Sequence, residues 1–144
     1  MKRTIIAMAF ILASITAVRA DDRPVTFNQL PEAARNFITD HYPDDKVSFA
    51  TVDDDFIMPD YQVALVSGVM LKFSNDGSLE KIESRTGKIP SGIIPVQITK
   101  AVKEYYPDEE IIMYEVDRRS YEVKLTNRLE LKFNRHFKVI EIDN

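Results

Sequence analysis

Asp53, Asp54 and Asp55, with Asp60 close behind, are the side chains of this 144-residue chain that most invite chemistry. Clustered carboxylate oxygens are what a hard cation such as calcium requires. Their spacing lacks the Asp-x-Asp-x-Asp-Gly pattern and distal Glu of a calcium loop, so a solvated acidic loop is the favoured reading. Asn75-Asp76-Gly77 has the look of a fragment of such a loop, but a hairpin turn explains it in full. The two histidines, His41 and His136, fall at unlike points of the pattern described below. A metal site or His-based catalysis would need a third residue that the sequence does not nominate. There is no Cys to act as nucleophile, and no Ser has a persuasive His and acid beside it. Singly scattered Gly residues build no phosphate-cradling loop. No pair of carboxylates stands out. The chain is therefore read as non-enzymatic, with no catalytic residue, metal site or cofactor.

The elements that would have to position any site come twice. Leu30-Pro31 and an amphipathic run ending Tyr42-Pro43-Asp44 return as Ile94-Pro95 and a run ending Tyr106-Pro107-Asp108. Pro is tolerated where a helix begins and stops it where it ends, so each run predicts a helix with one apolar face. Strands Tyr61-Gln-Val-Ala-Leu65 and Val69-Met-Leu-Lys-Phe73 return as Tyr121-Glu-Val-Lys-Leu125 and Leu129-Glu-Leu-Lys-Phe133. Val47–Val52 and Ile111–Val116 supply a strand before each pair. Leu79–Ile82 and Val139–Ile142 supply one after it. Val139, Ile140 and Ile142 break strict alternation, which predicts a bulge or burial on both faces. Self-similarity over about 60 residues means two copies of one supersecondary unit. The expected fold is α+β: a tandem duplication of a helix plus a four-stranded antiparallel meander. The repeats span residues 28–83 and 92–144, joined by a Gly- and Pro-containing link at 84–93.

Hairpin register follows from the alternation. Leu65 must oppose Val69 around Val66-Ser67-Gly68, with Gly68 in the left-handed position of a three-residue loop. Leu125 opposes Leu129 in the same way, leaving Arg128 left-handed. The opposite faces then differ between copies. The second pairs Lys124 with Glu130 and Glu122 with Lys132, a face built for water. The first pairs Ala64 with Met70 and Gln62 with Lys72, with Val66 at the tip. It also carries an insertion of about four residues that holds Phe56, Ile57 and Met58. Either the link or the other copy covers this apolar face, or a partner does. Phe56, Ile57, Met58, Ala64, Val66 and Met70 are the candidate partner-binding surface.

Residues 1–20 read as a secretory signal peptide, with basic Lys2 and Arg3, an apolar Ile5–Val18 stretch and cleavage after Ala20. Residues 21–144 are one domain's worth, able to bury a core without disulfides or metal. An exported chain without Cys fits a Gram-negative periplasm. Losing Lys2, Arg3 and Arg19 takes the formal charge from −4 to −7. That balance argues against nucleic acid and anionic lipid, and no membrane insertion is expected once the leader is gone.

The duplicated unit behind a leader resembles the PepSY-like family of Bacteroides-type periplasmic proteins, related in fold to the beta-lactamase inhibitor protein. Leu30-Pro31, Tyr42-Pro43-Asp44, Tyr61-x-Val, Leu71-Lys72-Phe73, Asp76-Gly77, Leu79 and their echoes carry the likeness over the whole exported portion. These motifs specify turns, helix stops and core positions, and bring no catalytic signature. The resemblance implies two sheets able to join into one, with the helices on one face. In the inhibitor-type relatives the open sheet face grips a protein, but none of their contact residues carries over. The expected function is a periplasmic interaction or inhibitor-like domain meeting a protein or peptide, or weakly associating with itself, through that face. The alternative is a small-ligand or envelope-polymer binder using Phe56, Tyr61, Tyr114 and Tyr121.

Overall fold

Pro31 and Pro95 each stand one place before a ten-residue helix, α1 (Glu32–His41) and α2 (Val96–Tyr105). Pro43 and Pro107 follow their ends, so each helix spans the stretch between two prolines. The computed structural model describes residues 22–54, 58–85 and 87–144. Its strands are β1 (Asp22–Pro24), β2 (Val47–Asp53), β3 (Asp60–Leu65), β4 (Val69–Phe73), β5 (Leu79–Ser84), β6 (Ile111–Val116), β7 (Ser120–Leu125), β8 (Glu130–Asn134) and β9 (Val139–Asp143). They lie side by side in chain order as one open antiparallel sheet. The sheet is continuous because β5 pairs with β6, setting Lys81 against Glu115, Ile82 against Tyr114 and Glu83 against Met113. Below, α1 with β2–β5 is the first unit and α2 with β6–β9 the second.

Both helices lie against the same sheet face. Ala34, Ile38, Ile98 and Val102 share one core with Val63, Leu71, Ile82, Tyr114, Val123 and Leu131. Those strand residues lie opposite one another from β3 to β8, so they must point to one side. Phe37 of α1 meets Phe73 of β4 edge-on, with ring centroids 5.6 Å apart. The link contributes to this side as well, through partly buried Ile89 and Ile93. On the opposite face its Arg85 borders Gln62 and Met70.

The hairpins follow the expected register. Ala64 faces Met70, Lys124 faces Glu130, and Gly68 and Arg128 both take positive φ, at 95° and 72°. The last strand of each unit is bulged. Leu79 and Lys81 face Phe73 and Lys72, and Val139 and Glu141 face Phe133 and Lys132, which leaves Glu80 and Ile140 as the extra residues. One element is new relative to the sequence expectation. β1 pairs with β2 and makes a ninth strand, and a turn of 3-10 helix at Phe27–Gln29 leads from it towards α1. Three residues that include Pro24 carry too little alternation to read as a strand. The expected signal peptide, residues 1–20, lies outside the described residues.

Candidate functional site: the open face of the sheet

The helix-free face is built from alternate strand residues. One row across it reads Phe49, Ala64, Met70, Glu83, Met113, Lys124, Glu130 and Asp143, each opposite the next. A second row reads Thr51, Gln62, Lys72, Lys81, Glu115, Glu122, Lys132 and Glu141. The first unit's part of the first row is apolar up to Glu83. The second unit's part, after Met113, is charged throughout.

Phe49 was not among the expected site residues, yet it is 53% exposed on this face, next to Ala64. A bulge explains the omission. The register shifts between Val47 and Phe49, sending Val47 to the core side and Phe49 to the open side. Without the bulge the two would share a face. The matching shift between Ile111 and Met113 puts Met113 on the open face too.

The four described residues among the six expected at the surface do not form one patch. Ala64 and Met70 are direct cross-strand neighbours on the open face, though Ala64 is only 5% exposed. Val66 sits at the tip of the β3–β4 hairpin, its N–H donating to the Lys46 carbonyl at 2.8 Å. Met58 lies at the other end of β3, bordering a crevice with Asp60, Asn75, Glu80 and Arg118. Phe56 and Ile57 fall outside the described residues.

Nor do the three described aromatic candidates line a surface. Tyr114 and Tyr121 are buried on the helix side, where their rings stack 6.4 Å apart. Phe137 stacks on Tyr121 at 5.2 Å, and the Arg135 guanidinium lies 4.4 Å from the Tyr121 ring centre. Burial, with Tyr121 adding to it, pushes the Tyr114 hydroxyl up to about 12. Tyr61, opposite Phe73, is half-buried on the same side.

The acidic candidates are drawn into separate contacts. Asp54 pairs with Arg23 at 2.9 Å, and Asp60 lies 3.5 Å from Lys72. Asp53 faces Asp60 across β2–β3, and Asp55 lies outside the described residues. Among the described residues no three His, Asp or Glu side chains gather as a metal would need. Asp76 holds its turn by accepting from the Ser74 hydroxyl and the Ser78 N–H, which lowers its carboxyl to about 2. His41 packs on Phe37 at 4.6 Å, and the His136 N–H donates to Asn134 Oδ1 at 2.9 Å.

Charge on the open face is uneven. Lys124 meets Glu130 at 3.6 Å. Beyond them Glu122, Glu130, Glu141 and Asp143 surround a single Lys132 near β9. Burial, then the neighbouring Glu115 and Glu130, raises the Glu122 carboxyl above the ordinary glutamate range. This face offers contact and charge.

A family model described as beta-lactamase-inhibitor-like, PepSY-like matches the chain twice, over residues 16–81 and 59–141. The chain belongs to the PepSY-like family. It is similar to solved structures of Bacteroides proteins described as periplasmic. One, from Bacteroides vulgatus and of the DUF2874 family, is 38% identical with TM-score 0.83, over 88% of this chain and 99% of that one. Another, from Bacteroides thetaiotaomicron and described as calcium-regulated, is 40% identical with TM-score 0.83, over 86% and 98%. A third, from Bacteroides vulgatus and described as of unknown function, is 30% identical with TM-score 0.81, over 85% and 99%. No functionally curated protein matches the chain.

Proposed function

We propose that this PepSY-like protein is exported to the periplasm, with its leader removed after Ala20, and works there by binding rather than catalysis. Its partner is a protein or peptide met through the open face of the first unit. The observation that carries this reading is the Phe49–Ala64–Met70 row, which stays apolar where the second unit's row turns charged after Met113, at Lys124 and Glu130. Apolar side chains left on a helix-free sheet face, beside a unit whose matching face is salt-bridged, mark a contact surface. Unbranched Met70 can adapt its shape to a partner. We read the two units as tandem copies, which makes this contrast a difference acquired at equivalent positions. The periplasmic description of all three structural neighbours supports the location.

The test substitutes Met70→Glu, the residue type that the second unit carries at the matching place. The variant should keep the parent's thermal unfolding and lose the protein recovered with it from periplasmic extract, or its self-association. A folded variant that loses neither contradicts the reading.

A further inference from the structure

The two units end on equivalent strands with opposite fates. Ile82 of β5 and Ile142 of β9 both follow the bulge and both face the matching leucine, Leu71 and Leu131. Ile82 is 0% exposed because β6 lies alongside and places Tyr114 next to it. Ile142 is 57% exposed, since among the described residues β9 pairs only with β8. The outer edge of β9 therefore presents unpaired backbone N–H and C=O groups in an extended strand.

An apolar groove of about 580 Å³ runs beside that edge on the helix side. Its walls include Tyr105 of α2, Phe133 of β8, Phe137 of the last turn, and Val139 and Ile142 of β9. The groove exists partly because Ala101 stands over β8 where Phe37 fills the same place above β4. On the open side the same edge is acidic, with Glu141 and Asp143 beside Glu122 and Glu130.

The β5–β6 junction shows what such an edge accepts. There Glu115 faces Lys81, Tyr114 faces Ile82 and Met113 faces Glu83: opposite charge, aromatic, then an unbranched chain. At β9 the matching residues are Glu141, Ile142 and Asp143: an acid replaces Lys81 and Asp143 keeps the negative charge of Glu83, so both places flanking Ile142 are now acidic. We propose that the free edge of β9 binds an extended segment of another polypeptide, lying antiparallel as β6 lies on β5. That segment has an aromatic residue beside Ile142, flanked by lysine or arginine facing Glu141 and Asp143. Backbone pairing supplies affinity in such strand addition, and alternate side chains supply selectivity. A second copy is a poor occupant. Two β9 edges would set Glu141 against Asp143 twice, and β1, which among the described residues pairs only with β2, offers Asp22-Arg23-Pro24. This inference goes beyond the open-face reading and does not depend on Met70.

The test uses the exported form of the protein and two fluorescein-labelled peptides at low salt. One is Ser-Thr-Lys-Tyr-Lys-Thr-Ser; the other has Glu in place of both lysines. Anisotropy should saturate with the lysine peptide at concentrations at least ten-fold below those needed for the glutamate peptide. Glu141→Lys combined with Asp143→Lys should reverse that preference. Ile142→Pro, checked for folding by thermal melt, should abolish binding of both. The proposal is overturned if neither peptide binds, if both bind alike, or if the charge exchange leaves the preference unchanged. It also fails if the protein sediments as a dimer that Ile142→Pro dissociates, because the occupant would then be a second copy.

Discussion

The two units use the same frame for different surroundings. The apolar residues they share face the helices. Val63, Leu71 and Phe73 do in the first unit what Val123, Leu131 and Phe133 do in the second, and all six are buried. They differ on the open face, Ala64 and Met70 against Lys124 and Glu130 and Gln62 against Glu122, and at two places on the helix side, Phe37 against Ala101 and Gly77 against Phe137. The shared set explains why the chain folds. The differing set is where two surfaces of unlike chemistry were built on one scaffold.

The largest expected effect tests whether the shared cores are equally filled. Phe73→Ala and Phe133→Ala each empty a fully buried site, at a cost of about 3–5 kcal/mol. The loss should be greater at Phe73, where Phe37 packs edge-on, than at Phe133, where Ala101 leaves the groove. Urea unfolding followed by circular dichroism checks the order, and equal losses would show that the groove is not a packing difference.

Next comes the last turn of each unit. Gly77 has φ +86°, and a Cβ there would lie 2.8 Å from the Ala34 backbone nitrogen at the start of α1. Gly77→Ala should cost about 1–3 kcal/mol from backbone strain, and more from the clash. The second unit holds Phe137 at the matching place with φ 63°, its ring stacked on Tyr121. The turn thus bears a side chain in one unit and refuses it in the other, and thermal melts of Gly77→Ala measure that refusal.

Smaller effects belong to the charged face. A double-mutant cycle on Lys124 and Glu130 should give a coupling of about 0.2–1 kcal/mol that fades with added salt. Glu122→Gln gives the second unit the residue of the first. The Glu122 carboxyl is raised in the folded state, so the folded chain holds its proton more firmly than the unfolded chain does. The stability this provides is present in acid and is lost as the pH climbs above the ordinary glutamate value of 4.5. The variant should therefore match the parent in acid and exceed it slightly at neutral pH. Asp76 in the first unit has the opposite sign. Lowered to about 2, it contributes stability that disappears as the pH falls below 3.8.

Much of this architecture was legible because prolines, turn glycines and strict alternation are local signals. The helix bounds, the register of both main hairpins and the left-handed Arg128 follow from them. What escaped was set by pairing. The bulge before Phe49 depends on how β2 meets β3, and nothing in Val47-Ser-Phe49 announces it. The burial of Tyr114 depends on β6 joining β5, a contact between units. The groove beside β9 needs the comparison of Ala101 with Phe37 in three dimensions. The site was therefore legible as a contrast between Ala64–Met70 and Lys124–Glu130, and not as a complete patch.

The most direct measurement places a photo-reactive phenylalanine derivative at position 70 or at position 130, and irradiates the protein in intact cells that express it. These positions are equivalent in the two units and face the same side of one sheet. The account predicts a discrete polypeptide adduct, with another protein or a second copy, from position 70 and none from position 130. Adducts of equal yield from both, or none from position 70, would contradict it.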